Sequence, residues 1–167
     1  ATTEDIHSTF LTTFLRRIPI LVSLPDLQHR SREEKEALTL QFFWQEARTL
    51  AARLQLTPRL LQVLTQYVYR GNVGELKNVV KYAVASAWAR SPGREMLTVR
   101  LHDLPENVMA ATPALSEAMG QQEPLLIEPQ TSLVWLLRAR DPVQGLIYDV
   151  QCRVLAQYEA VLNKKTV

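Results

Sequence analysis

The sequence predicts a mainly α fold: a small bundle of three to four helices, preceded by a short strand and followed by a further helix near the C-terminus. Three observations predict it. Apolar residues recur at three- and four-residue spacing through three stretches, helix-breaking residues separate those stretches, and 47% hydrophobic content over 167 residues supplies a core.

At the N-terminal end, Phe10-Leu11-Thr12-Thr13-Phe14-Leu15 reads as a short helix, and residues 18–24 read as a strand of β-branched and apolar side chains with Pro19 at its beginning or on an edge. Ser31-Arg32-Glu33-Glu34 is a capping box, in which the hydroxyl accepts from the backbone of the third residue and the glutamate reaches back. A long helix is expected from about Arg32 to Leu54, with Ala37, Leu40, Trp44, Ala47, Ala51 and Leu54 along one stripe.

Thr57-Pro58 starts the second helix, threonine as cap and proline at the first helical position. Its buried face comprises Leu60, Leu61, Leu64, Tyr67 and Val68. Gly71-Asn72 breaks the pattern, and Val73, Leu76, Val80, Ala83, Val84 and Ala87 define a third helix that runs to Ser91-Pro92-Gly93.

Met96 to Leu101 suits a brief extended segment, and Asp103-Leu104-Pro105-Glu106-Asn107 caps a short helix into Ala110. Residues 112–130, rich in proline, glutamine and small side chains without a period, read as a mobile linker. Helical character returns from Trp135 to Leu162, interrupted near Asp141-Pro142. Ile147, Val150, Val154, Tyr158 and Val161/Leu162 there form a stripe suited to a partner helix or a following domain.

Composition narrows the function. Nineteen basic against seventeen acidic side chains leave +2, too balanced for binding nucleic acid or anionic membranes through bulk charge. Cys152 is a lone cysteine, no paired Cys/His spacing offers a zinc site, and no apolar run reaches the roughly 18 residues that cross a bilayer. A cytoplasmic location and no membrane contact are expected. The first residue is Ala1 rather than methionine, so an internal boundary is expected there.

Three motifs in order carry the functional reading: Phe14-Leu15-Arg16-Arg17-Ile18-Pro19-Ile20, Leu24-Pro25-Asp26-Leu27, and Arg70-Gly71-Asn72-Val73-Gly74-Glu75-Leu76-Lys77-Asn78. Together with Ala1-Thr2-Thr3-Glu4, this set resembles the AAA+ domain of bacterial enhancer-binding transcription activators. It is most similar to the levanase-regulator (LevR-like) branch controlled by the sugar phosphotransferase system. The resemblance covers residues 1–110.

That resemblance implies a domain organisation: residues 1–30 end the ATPase core, 31–111 form its helical lid, 112–130 link, and 131–167 lead as a connector helix toward phosphotransferase-type regulatory domains. It implies an activity as well. The intact protein would bind ATP and Mg²⁺, assemble as a hexameric ring of AAA+ protomers, and remodel RNA polymerase carrying sigma-54. Its DNA contact would lie in a domain outside this chain, and phosphotransferase proteins would regulate it. Thr2 and Thr3 match the end of the sensor strand. Arg16, with Arg17 as second candidate, stands where the family places an arginine that reaches a neighbour's nucleotide; a guanidinium there neutralises charge on a transferring phosphoryl group, worth ~10³–10⁵ in rate. Gly71, Asn72 and Val73 would bring the lid helix close to the nucleotide.

Two departures matter. Many AAA+ relatives carry arginine at the position of Gly74, and the LevR-like branch resembles this chain in lacking it; Lys77 lies one turn further on and reads as solvated. No Gly-x-x-x-x-Gly-Lys-Ser/Thr run is present, and Glu75 beside Gly74 carries a charge that repels phosphate, so this polypeptide alone is expected neither to hydrolyse ATP nor to bind it tightly.

Other residues have plainer readings. His7, His29 and His102 are assigned to surface or capping roles, and Trp44 and Trp88 to core packing, with Trp135 exposed. Phe42-Phe43-Trp44 spans more than one helix face, so part of it is expected to pack on the rest of the ATPase core. Two rival functions remain open: a helix-turn-helix DNA-binding module over residues 57–90 with Lys77, Lys81 and Arg90 on phosphates, and an assembly module pairing through the C-terminal helix.

Overall fold

The computed structural model describes residue 17 and residues 22–111, 123–140, 150 and 153–157. The helix expected over residues 10–15 lies outside these. Of the strand expected over residues 18–24, only Val22, Ser23 and Leu24 are described, and they adopt no regular structure.

Described elements begin with a 3-10 turn, Leu27–His29, followed by α1, Arg32–Leu50. The capping box forms as its residues require: the Ser31 hydroxyl accepts from the Glu34 N–H at 3.1 Å, and the Glu34 carboxylate accepts from the Ser31 N–H at 3.1 Å. Helix α1 stops at Leu50, short of the Leu54 end that the apolar stripe predicts. Ala51 turns left-handed at φ 50°, its N–H and that of Ala52 return to the Ala47 carbonyl, and the chain enters β1, Arg53–Leu56.

The reason lies in pairing. Strand β1 is the centre of a three-stranded sheet, parallel to β2 (Met96–Val99) on one side and antiparallel to β3 (Leu125–Ile127) on the other. The register sets Leu54 opposite both Leu97 and Ile127, and Leu56 opposite Val99. All of these side chains are buried. Each gains about 1.5–3 kcal/mol from burial, which outweighs the ~1–2 kcal/mol of a left-handed alanine. Residues 125–127 belong to the stretch read as a linker; their pairing with β1 corrects that reading at its end.

Between β1 and β2 the chain makes α2, Pro58–Gln66, and α3, Asn72–Arg90. Pro58 takes the first helical position, but Thr57 makes no side-chain cap bond, contrary to expectation. Leu60, Leu61 and Leu64 are buried as the period requires; Tyr67 and Val68 lie beyond the helix end, and Val68 is 55% exposed. On α3, Leu76, Val80, Ala83, Val84 and Ala87 face inward and share one core with Leu40, Phe43 and Ala47 of α1. Phe42 and Phe43 are both buried within this fold itself, so neither needs another domain to cover it.

After β2, a 3-10 turn (Leu101–Asp103) leads to α4, Glu106–Ala110; beyond β3 comes α5, Leu133–Arg140. Leu133, Leu136 and Leu137 join the same core, while Trp135 stays 63% exposed. Trp44 and Trp88 pack at its margin, and the Trp44 indole N–H donates to the Thr131 carbonyl at 2.7 Å. Of the C-terminal stripe, Val150 and Val154 are described, both exposed; the rest lies outside the described residues.

The carboxylate of Asp103, 1% exposed, ties the end of α3 to β2. It pairs with Arg90, accepts from the Ser86 hydroxyl at 3.2 Å, and accepts from the Arg100 N–H at 2.8 Å; Arg90 also donates to the Thr98 carbonyl at 2.8 Å. A buried carboxylate demands such compensation.

Both features can be tested by urea unfolding. Replacing Arg90 by alanine leaves Asp103 buried beside its remaining dipoles alone and should lower the unfolding free energy by about 3 kcal/mol. Ala51→Gly, which relieves the left-handed strain, should raise it by about 0.5–1 kcal/mol.

Candidate functional site

The expected site centres on the turn that opens α3. Its approach is anchored by Tyr69, whose buried hydroxyl donates to the Leu64 carbonyl at 2.7 Å while its ring meets that of Tyr67 edge-on at 4.8 Å. Burial pushes the Tyr69 hydroxyl well above the ordinary tyrosine range, with Tyr67 and Glu75 adding to the shift; it therefore stays neutral and serves as a fixed donor. Asn107 donates to the Tyr67 hydroxyl at 3.3 Å from α4.

Asn72 comes next at φ 56°, a left-handed conformation that asparagine tolerates better than most residues. Its side chain is a junction. The amide oxygen accepts from the Leu27 N–H and the Val73 N–H, each at 2.9 Å, and the amide nitrogen donates to the Asp26 carboxylate at 2.9 Å. Residues separated by 45 positions in sequence are thereby joined at one amide. The Leu27 side chain is itself in the core, so the segment entering α1 is held by both its backbone and its side chain.

Glu75 folds back over the turn, and its carboxylate accepts from the Gly71 N–H at 2.7 Å. A Cβ on Gly71 would lie 3.0 Å from that of Glu75, so the glycine makes room for this contact. At Gly74, by contrast, a Cβ would meet nothing within 4 Å. A side chain at that position would enter open space.

Among the expected site residues, the structure brings Gly71, Asn72 and Val73 together and adds Asp26, Leu27 and Glu75. Arg17 is described as an exposed turn residue; Thr2, Thr3 and Arg16 lie outside the described residues. The N–H groups of Gly71, Asn72 and Val73 go to Glu75, to the Tyr69 carbonyl at 3.1 Å and to the Asn72 amide. With each of these donors engaged internally and a carboxylate over the helix start, these residues do not fit a phosphate cradle. They form an internally hydrogen-bonded turn. Among the described residues, no group of three or more His, Cys, Asp or Glu is placed to hold a metal, and no helix is long and apolar enough to cross a membrane.

The sequence signal for Asn72 is its place in the Gly-Asn turn. Asp26 falls in the Leu24-Pro25-Asp26-Leu27 motif, but its bond to Asn72, and the Tyr69 anchor, are not encoded in any spacing. Lys77, read as solvated, is exposed.

The described residues form a helical bundle on a small mixed sheet, with a glycine-asparagine turn at the head of the long third helix. The chain belongs to the AAA+ ATPase lid domain family, which it matches over residues 29–120, more than half its length. It is 37% identical over 89 residues to the transcriptional regulatory protein DagR of Salmonella typhimurium, covering 53% of this chain and 10% of that protein. It is 34% identical over 109 residues to the transcriptional regulatory protein LevR of Bacillus subtilis, covering 65% and 12%, and 35% identical over 101 residues to the regulatory protein LuxO of Vibrio cholerae, covering 59% and 19%. The matched part of the chain thus spans no more than 19% of the length of these relatives. No solved structure shows a significant match.

Asn72→Ala should cost about 2–3 kcal/mol, because it loses three hydrogen bonds and keeps a strained φ. Asn72→Gly should cost about 1 kcal/mol less, since only the hydrogen bonds are lost. Urea unfolding of the two variants separates the contributions.

Proposed function

We propose that this chain is part of the AAA+ domain of a bacterial sigma-54-dependent transcription regulator of the LevR-like, phosphotransferase-controlled branch. The observation that carries the reading is the lid family match, supported by similarity to three proteins named as regulators, two of them transcriptional. In the intact protein, ATP and Mg²⁺ bind at the ring interfaces, and the ring acts on sigma-54 RNA polymerase in the cytoplasm. DNA binding and phosphotransferase control reside in other domains of that protein.

Within that assembly each part of this chain has a physical task. Bound ATP supplies the phosphoryl-transfer chemistry. Arg16, or Arg17 beside it, presents a permanently charged planar guanidinium to the neighbouring protomer's site. Gly71, Asn72 and Val73 line the lid side of the pocket as a rigid wall, and the Asn72 junction makes the lid move with the segment that follows the arginines. Thr2 and Thr3 end the sensor strand. This chain alone, which has no phosphate loop, does not turn over ATP.

The DNA-binding alternative loses one of its three cations, since Arg90 is committed to Asp103 and Thr98. The assembly alternative rests on a C-terminal stripe of which the described part, Val150 and Val154, is exposed.

The deciding experiment is Arg16→Ala in the intact protein. ATP turnover is expected to fall by ~10³-fold or more while equilibrium nucleotide binding changes little, and mixing the variant with a protomer defective in its own phosphate loop should restore partial activity. Unchanged turnover with Arg16→Ala and with Arg17→Ala would overturn the assignment of the finger to this pair.

A further inference from the structure

Helices α1 and α3 pack beside an open cleft of about 540 Å³ lined by Trp44, Gln45, Glu46, Arg48, Thr49, Lys77 and Lys81. Three cations face one carboxylate there. Among the described residues, neither Arg48 nor either lysine enters an ion pair. Arg48 lies over the Trp44 ring, 4.8 Å from its centroid, and the Trp44 indole is fixed by its bond to the Thr131 carbonyl. The guanidinium is thereby held over the indole face, in the same cleft as the two lysines. Lys77 and Lys81, four residues apart on α3, stand on one face about 5–6 Å apart at their Cβ atoms.

We infer that this cleft is a docking surface for an acidic helical segment of a partner protein. Two lysines one turn apart match two carboxylates one turn apart on a second helix, and Arg48 on its tryptophan platform supplies a third contact at the rim. Glu46 decides between anionic partners. A carboxylate within the cleft repels a continuous phosphate backbone, whereas a polypeptide can place a polar or basic side chain beside it. Electrostatic contacts of this exposed kind set encounter rate and specificity, and they weaken with salt over a Debye length of about 8 Å. The surface does not depend on the ATPase reading, since no residue of it belongs to the nucleotide wall.

The test uses the full chain and a fluorescein-labelled helical peptide carrying glutamates at positions i and i+4, with fluorescence anisotropy at low ionic strength. Saturable binding is expected, lost progressively as salt is added and weakened about tenfold or more by the pair Lys77→Glu and Lys81→Glu. Both lysines are exposed, so thermal unfolding followed by circular dichroism should be close to that of the parent chain. Should the double reversal perturb folding, the pair Lys77→Gln and Lys81→Gln is read by the same criterion with a smaller loss. Absence of saturable binding, binding indifferent to these substitutions, or tighter binding of a DNA duplex of matched charge would each overturn the inference.

Discussion

One amide side chain, that of Asn72, ties together two segments 45 residues apart in the sequence. The segment entering α1 and the head of α3 meet there: the Leu27 backbone, the Asp26 carboxylate and the first turn of α3 converge on three hydrogen bonds. The backbone at Asn72 is left-handed, so the residue combines two requirements that few side chains satisfy together. Glycine accepts the φ angle but has no amide; glutamine has the amide at the wrong reach and a costly backbone.

Around that junction the fold distributes its stabilisation in two separate ways. The core of α1, α2 and α3 over the sheet is apolar and depends on area, with Phe43, Leu40, Leu54, Leu76 and Leu97 among its fully buried members. The far end of α3 depends instead on charge, because Asp103 is buried and must be matched by Arg90 and two further donors. The two ends of one helix are therefore fixed by different physics. The amide junction sets where α3 begins, and the ion pair sets where it meets β2.

Much of the candidate site is legible in the sequence, because motif order places Gly71, Asn72 and Val73 at the head of a helix and the apolar period orients that helix. What the turn does is not legible. A Gly-Asn pair before a helix suggests backbone donors pointing at a ligand, yet here those donors are consumed by Glu75, Tyr69 and Asn72 itself. In one dimension Glu75 is only a charge unfavourable to phosphate. Its contact with the Gly71 N–H depends on a rotamer and on the absence of a Cβ at Gly71, and no spacing rule encodes that combination. The basic cleft is equally hidden, since Arg48 and Lys77 approach only through the packing of two helices.

By itself the sequence determined the helices that carry their own local instructions: the Ser31 box starts α1, Pro58 starts α2, and the period of Leu76, Val80, Ala83 and Ala87 orients α3. These are signals read within a few residues, through caps and spacing. Tertiary structure alone decided the sheet. Leu54 continues the helical stripe of α1 in one dimension, and Leu125 to Ile127 sits in a stretch with no pattern at all. They become strands because β1 finds β2 on one edge and β3 on the other. Strand pairing joins distant segments, and its energy exists only once both have arrived.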